Sequence, residues 1–394
     1  MTERLVIEHL YKIFSDRPEP ALAMLRAGKC RADVLEKLRH VVGLDDVSLS
    51  VPSGAIYMIM GLSGSGKSTL ARCINRLHEP SAGRILLDGE DLCALGDKEL
   101  REVRRNRISM VFQHFALLPN RRVIENVEFG LKLRRMPAAQ RRRRAEEVLA
   151  VVGLSKWAYH MPHELSGGMR QRVGLARALA TEADILIMDE AFSALDPLIR
   201  TEMQEELLRL QRTLNKTILF ITHDFQEALK LGTRIAIMSE GHVVREGSPQ
   251  SIVLDPGSDY VAAFTREVDR ARLFDARSVM TALSPVWRDS GRILMAASPL
   301  GQGPGFVLDA EERVLGVLTG SEMAQARDGR AIPEPDRRFA CVSASMRLVD
   351  VAHQCGQGSP VGVTDTDGKL IGLLDASHVL ARIGAGSGAE VHHA

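Results

Sequence analysis

Gly61-Leu-Ser-Gly-Ser-Gly-Lys-Ser68 and, about a hundred residues later, Leu165-Ser-Gly-Gly-Met-Arg-Gln171 are the two stretches that decide how this chain folds. The first follows the apolar run Ala55–Met60 and fits G-x-x-x-x-G-K-[ST]. A buried strand running into a glycine loop and then a helix makes an anion site, because backbone N–H groups and the helix dipole converge there. Gly61, Gly64 and Gly66 leave room for backbone to approach phosphate oxygen. Lys67 places a cation at the outer phosphates, and Ser68 offers a hydroxyl to Mg2+. In the second stretch Ser166 is a good N-cap for a helix over Met169–Ala180, where Val173, Ala176, Leu179 and Ala180 form an apolar stripe. A capped helix opening on glycines is a second anion site.

Ile185-Leu-Ile-Met-Asp189-Glu190 is a buried-type strand ending in two carboxylates. Ligands of open α/β sheets sit beyond the C-terminal strand ends, so Asp189 is expected at the metal and Glu190 at an attacking water. Ile218–Ile221 is another short buried run, and His223 follows it. Leu5–His9 reads as a first strand, Lys98–Arg107 as a charged helix, Ile108–Phe112 as a strand and Ala138–Val152 as an amphipathic helix. Strands alternating with helices predict an α/β domain with a parallel central sheet. Between the first two strands, about residues 15–42, Ala21–Leu25 and Val34–Leu38 have helical spacing.

These motifs, in this order, resemble the ATP-binding cassette (ABC) ATPases. The segments Ile59–Gly66, Met110-Val-Phe-Gln113, Leu165–Leu179 and Met188–Gln204 are similar to the glycine betaine/proline betaine (quaternary amine) uptake ATPases, as are the insertion and a two-repeat tail. The resemblance implies an ABC-type nucleotide-binding domain over residues 1–270, with a helical subdomain at about 97–180. It implies ATP and Mg2+ as ligands, with Leu62, Ser63, Ser65 and Thr69 completing the phosphate loop. Ser68, Gln113 and Asp189 are then the metal residues, and Glu190, His223 and Gln113 the catalytic ones. Phe14 is expected against adenine, with Tyr11 as the competing aromatic. Ser166, Gly167, Gly168, Gln171 and Asp196 are expected where a second copy meets the nucleotide. The implied assembly is a homodimer of cassettes, two permease subunits and an extracytoplasmic binding protein, peripheral on the cytoplasmic face of the inner membrane.

Composition agrees with a soluble subunit. Of the 394 residues, 45% are hydrophobic and 26% charged, and the net charge is +1, so no global field favours nucleic acid. The five cysteines are scattered without C-x-x-C spacing, as in a reducing compartment. There is no signal-length apolar stretch near Met1 and no run long enough to span a bilayer, so the pore is expected in another polypeptide. The run Arg141–Arg144 reads as a solvated helix face, with a phosphate- or lipid-binding patch as the alternative.

From about residue 275 the pattern changes. Phe306–Leu318 aligns without gaps inside Pro360–Leu374, pairing Val307 with Val363, Asp309 with Asp365 and Gly316 with Gly372 at a period of 56 residues. Each copy reads as strand, acidic turn, strand and short helix. This resembles a smaller α+β tandem CBS pair over residues 275–384, before a flexible glycine-rich tail at 385–394. Nucleotide-binding CBS pairs carry Thr/Ser and Asp after the glycine strand; here the first copy has Thr319 with Glu322 and the second Asp375 with His378. The tail is expected to regulate transport through ionic strength or a bound nucleotide, against a purely structural role. For the whole chain the alternatives are an importer of another amino acid or cationic solute, and a soluble non-transport ABC ATPase.

Overall fold

The computed structural model describes residues 2–112, 116–193, 195–289, 291–297, 304–327, 332–355 and 360–384. Gln113 and the tail 385–394 lie outside them, as does Ala194. The chain divides into two units, Met1–Val261 and Ala262–Ala394.

In the first unit a six-stranded sheet runs in the order His242–Gly247, Arg234–Ser239, Ile56–Met60, Thr217–Ile221, Ile185–Asp189, Ile108–Val111. All its pairings are parallel except that of the edge strand His242–Gly247. Every residue of Ile56–Met60, Ile185–Asp189 and Thr217–Ile221 is buried, as a sheet covered on both faces requires. Register matters most for function. Ile59 pairs with Ile221 and Asp189 with Ile221, so these strands end level with one another. The chain leaving each one, Gly61 onward, Glu190 and Thr222–His223, therefore emerges at a single edge.

A second, antiparallel sheet contains Glu3–Phe14, Val41–Pro52, Ala82–Leu87 and Glu90–Asp91. Its first strand is longer than the Leu5–His9 expected, pairing from Glu3 opposite Pro52 to Phe14 opposite Val41. The extra length comes from the insertion, whose helices Glu19–Arg26 and Arg31–Leu38 elaborate the tip of this hairpin. Ala21, Leu25 and Val34 pack there with Tyr11, Ile13 and Val42 in a small core of their own.

Helices Val123–Leu133, Ala138–Val151 and Gly167–Ala180 pack together as the helical layer. The strand Ile108–Val111, inside the span expected for that layer, belongs instead to the central sheet. The arginine run is engaged by carboxylates: Arg141 and Arg142 pair with Glu128, Arg143 with Glu147, and Arg144 with Glu147 and Glu182. Glu128 is a largely buried anion, so its two arginines neutralise a charge that would be costly alone.

The second unit begins before the expected boundary, and helix Arg270–Leu273 falls within it. Arg347 Nη1 donates to Leu273 O at 2.6 Å, Leu348 N to Phe274 O at 3.0 Å and Ala276 N to Met346 O at 2.8 Å, which holds that segment to the tail. Two four-stranded sheets follow. One comprises Thr281–Ala282, Leu370–Leu374, Val361–Thr364 and Ala340–Ser343; the other Ser284–Asp289, Arg292–Ala296, Gly305–Leu308 and Val314–Leu318. The repeated turns share one hydrogen-bond scheme. Asp309 Oδ1 accepts from Glu311 N and Arg313 N, and Asp365 Oδ1 from Asp367 N and Lys369 N. Upstream the copies differ: the second has strand Ala340–Ser343 and helix Leu348–Cys355, whereas the first has the hairpin Ser284–Asp289/Arg292–Ala296.

Candidate nucleotide site

The edge where the three strands end carries a cleft of about 760 Å3 lined by Phe14, the 62–64 and 66–69 segments, Glu190 and His223, together with Arg31 and Val41–Gly43. Two glycines of the loop are obligatory. Gly61 has φ +149°, and a Cβ there would lie 2.2 Å from Met238 O. Gly66 has φ +103°, and its Cβ would lie 2.6 Å from Gly43 O. Both positions combine a left-handed backbone with a backbone atom in the way, so no side chain fits.

Lys67 opens the helix Lys67–Ile74 and is itself largely buried. Its Nζ donates to Gly61 O and Leu62 O, both at 2.8 Å, and to Ser65 Oγ at 3.3 Å. Burial pushes its pKa below the ordinary lysine value, while Glu190 and Asp189 oppose that shift. Ser68 Oγ donates to Asp189 Oδ1 at 3.0 Å. Burial raises the Asp189 carboxyl above its usual range, partly offset by that hydrogen bond.

Glu190 sits in the left-handed region at φ 48°, an uncommon place for a residue with a long side chain. Its surroundings hold it there: Glu190 N donates to Ile221 O at 3.0 Å, and Glu190 O accepts from Gln171 Nε2 at 3.1 Å and Ser193 Oγ at 2.9 Å. This backbone turn delivers the carboxylate to the cleft, with Oε1 lying 3.5 Å from His223 Nδ1. The role of Gln171 was not foreseen. Expected at the surface presented to a second copy, it is 2% exposed and braces the Glu190 carbonyl of its own chain.

The aromatic pair separates by environment. Phe14 is 42% exposed on the cleft, edge-on to His78 at 5.4 Å, whereas Tyr11 is 8% exposed in the insertion core. Phe14→Ala is therefore expected to weaken ATP and GTP binding alike, by about 1–3 kcal/mol from lost base stacking. Calorimetric titration checks this; a loss in Tyr11→Ala with none in Phe14→Ala would reverse the assignment.

Ser166 Oγ accepts from Met169 N at 3.3 Å and caps Gly167–Ala180, but Ser166, Gly167 and Gly168 do not line this chain's own cleft. Asp196 caps Pro197–Leu214, accepting from Ile199 N at 3.0 Å.

Residues 44–193 match the ABC transporter family. The glycine betaine/proline betaine transport system ATP-binding protein ProV of Escherichia coli is 43% identical over 393 residues, spanning 96% of this chain and 97% of its own. The chain belongs to that family of ABC transporter ATP-binding proteins. Another member, the glycine betaine/carnitine transport ATP-binding protein GbuA of Listeria monocytogenes, is 43% identical over 99% of both chains. The trimethylamine N-oxide transport system ATP-binding protein TmoW of Ruegeria pomeroyi is 52% identical over 68% of this chain and 78% of its own. Among solved structures, the dimeric bacterial ABC transporter cassette MJ0796 is 32% identical with a TM-score of 0.55, covering 62% of this chain and 98% of that one. The same cassette has been solved with ADP and Pi.

As an ABC ATPase the chain binds ATP, and Ser68 on the cleft wall, with Asp189 buried behind it, is suited to Mg2+. Ser68 and Asp189 offer oxygen ligands in hydrogen-bond contact, the hard donor set that the ion prefers alongside phosphate oxygens. They would hold the ion, whose contribution is neutralising charge on the phosphates. No helix among the described residues is long and apolar enough to cross a membrane.

Proposed function

We infer that this chain is the ATP-hydrolysing subunit of an importer for quaternary amine osmoprotectants such as glycine betaine, proline betaine or choline. The observation that carries the substrate class is the near-full-length similarity to the glycine betaine/proline betaine protein, which extends through the insertion and the tail. Phe14 stacks adenine, the 61–69 loop holds the phosphates and Glu190 takes a proton from the attacking water. His223 contacts the terminal phosphate. Ser166–Gly168 of a second copy completes each site, so ATP joins two cassettes and hydrolysis releases them. The subunit works at the cytoplasmic face of the membrane, bound to separate permease subunits.

A trimethylamine N-oxide importer is the second reading, favoured by the higher identity of that relative over a shorter span. The two separate in one assay. ATPase activity of the chain with its permease should rise when the binding protein is loaded with glycine betaine. Stimulation by trimethylamine N-oxide alone would favour the second reading, and stimulation by neither would overturn both.

The second unit is proposed as a CBS-like regulator. In support, Ala340–Gly384 has the order strand, helix, strand, strand, helix. The polar groups after each glycine strand are engaged as helix caps: Glu322 Oε2 accepts from Thr319 N at 2.7 Å, and Asp375 Oδ1 from Ser377 N at 2.7 Å. That favours ionic strength over nucleotide as the signal, since surface charge is screened over about 8 Å at physiological salt. Truncation after Arg272, assayed with the permease in liposomes, is expected to leave ATP hydrolysis and abolish its salt dependence. A truncated complex with unchanged salt dependence would refute the sensor.

A further inference from the structure

The insertion does more than lengthen a hairpin: it carries a cation into the nucleotide cleft. Arg31 is the first residue of helix Arg31–Leu38, and it lines the cavity alongside Phe14, Gly43 and the Lys67–Thr69 helix start. Its position is held from both sides. Asp33 Oδ2 accepts from Cys30 N at 3.0 Å and Cys30 Sγ at 3.3 Å, which closes the first turn. One turn on, Val34 is fully buried in the insertion core, so the helix cannot swing freely.

Arg31 is half-buried, and no hydrogen bond or ion pair to a described residue engages its guanidinium. Asp45 is an acidic group close enough to feel its charge, and that carboxylate is already met by His242 Nε2 at 3.2 Å. The lining contains one other permanent cation, Lys67. A triphosphate brings about four negative charges into this space, and a guanidinium offers five donors in a planar fork matched to phosphate oxygens. Arg31 shares its wall with Val41 and Val42, the strand end paired to Phe14 and Ile13, which is the end of the cleft where the base stacks.

We propose that Arg31 is a nucleotide-binding residue, its guanidinium pairing with the phosphate chain near the sugar, so that the insertion forms part of the ATP site. The inference rests on the cleft being that site. Because ATP and ADP share the phosphates nearest the sugar, both must feel the loss of the charge. A residue that merely held the insertion would alter thermal stability without altering nucleotide affinity.

Calorimetric titration of the intact chain with Mg-ATP and Mg-ADP tests this. Arg31→Gln is expected to weaken both nucleotides by about tenfold or more, the usual scale of one charge-assisted hydrogen bond. Arg31→Glu should weaken them further and Arg31→Lys least, with nucleotide-free melting temperatures close to the parent's. Unchanged affinities in Arg31→Gln and Arg31→Glu would overturn the proposal, as would a loss confined to ATP. If the parent chain bound neither nucleotide, the assignment of the cleft would itself fall, a different failure.

Discussion

Glu190→Gln is expected to bind ATP as tightly as the parent and to hydrolyse it about 10²–10⁴ times more slowly, the usual contribution of a positioned general base. That range corresponds to about 2.7–5.4 kcal/mol of transition-state stabilisation. The reason lies in the division of labour at the end of one strand. Asp189 is buried against Ser68, whereas the Glu190 backbone turns the next carboxylate to the open cleft beside His223. Glutamine preserves the shape and the hydrogen bonds of the Glu190 backbone that hold the turn, and removes only the basic oxygen. ATP should then persist between two cassettes, so gel filtration with Mg-ATP should show a dimer that the parent forms only transiently. Turnover reduced less than about tenfold would remove Glu190 from the role of base.

Lys67→Ala should fail at an earlier step. The ammonium is held by Gly61 O, Leu62 O and Ser65 Oγ, so it sits within the loop proposed to hold the phosphates. Losing a charged donor of this kind costs about 1.5–3 kcal/mol, which is roughly ten- to a hundredfold in ATP affinity. Lys67→Arg is also expected to fail, because a planar fork does not fit a nest built for a compact ammonium. Filter binding or calorimetry decides it; parent-like affinity in Lys67→Ala would contradict the assignment.

The residues of both predictions stand out in the sequence. Lys67 and Glu190 were legible because each follows a short all-apolar run, and such runs end at one edge of a parallel sheet. The acidic turns at Asp309 and Asp365 were legible through their common spacing. Arg31 was not, because its meaning depends on an insertion folding back on the hairpin that carries Phe14. Nor was the place of Gln171: the motif around it reads as a surface for a second copy, while its burial beneath Glu190 arises only when Gly167–Ala180 packs near the strand end. The arginine run shows the same limit. Glu147 is a local partner for Arg143 and Arg144, but Glu128 and Glu182 lie outside that helix and reach Arg141, Arg142 and Arg144 only through packing. Long-range polar partners leave no periodic trace, whereas buried strands and glycine turns do.

We propose that ATP hydrolysis in this cleft drives uptake of a quaternary amine. Its most direct measurement is accumulation of labelled glycine betaine in proteoliposomes containing this chain and its permease, with Mg-ATP on the side bearing the cassettes and binding protein on the other. Accumulation should require ATP, be lost with Glu190→Gln and be competed by proline betaine but not by methionine. A complex that hydrolyses ATP at the parent rate while glycine betaine stays outside would contradict the account.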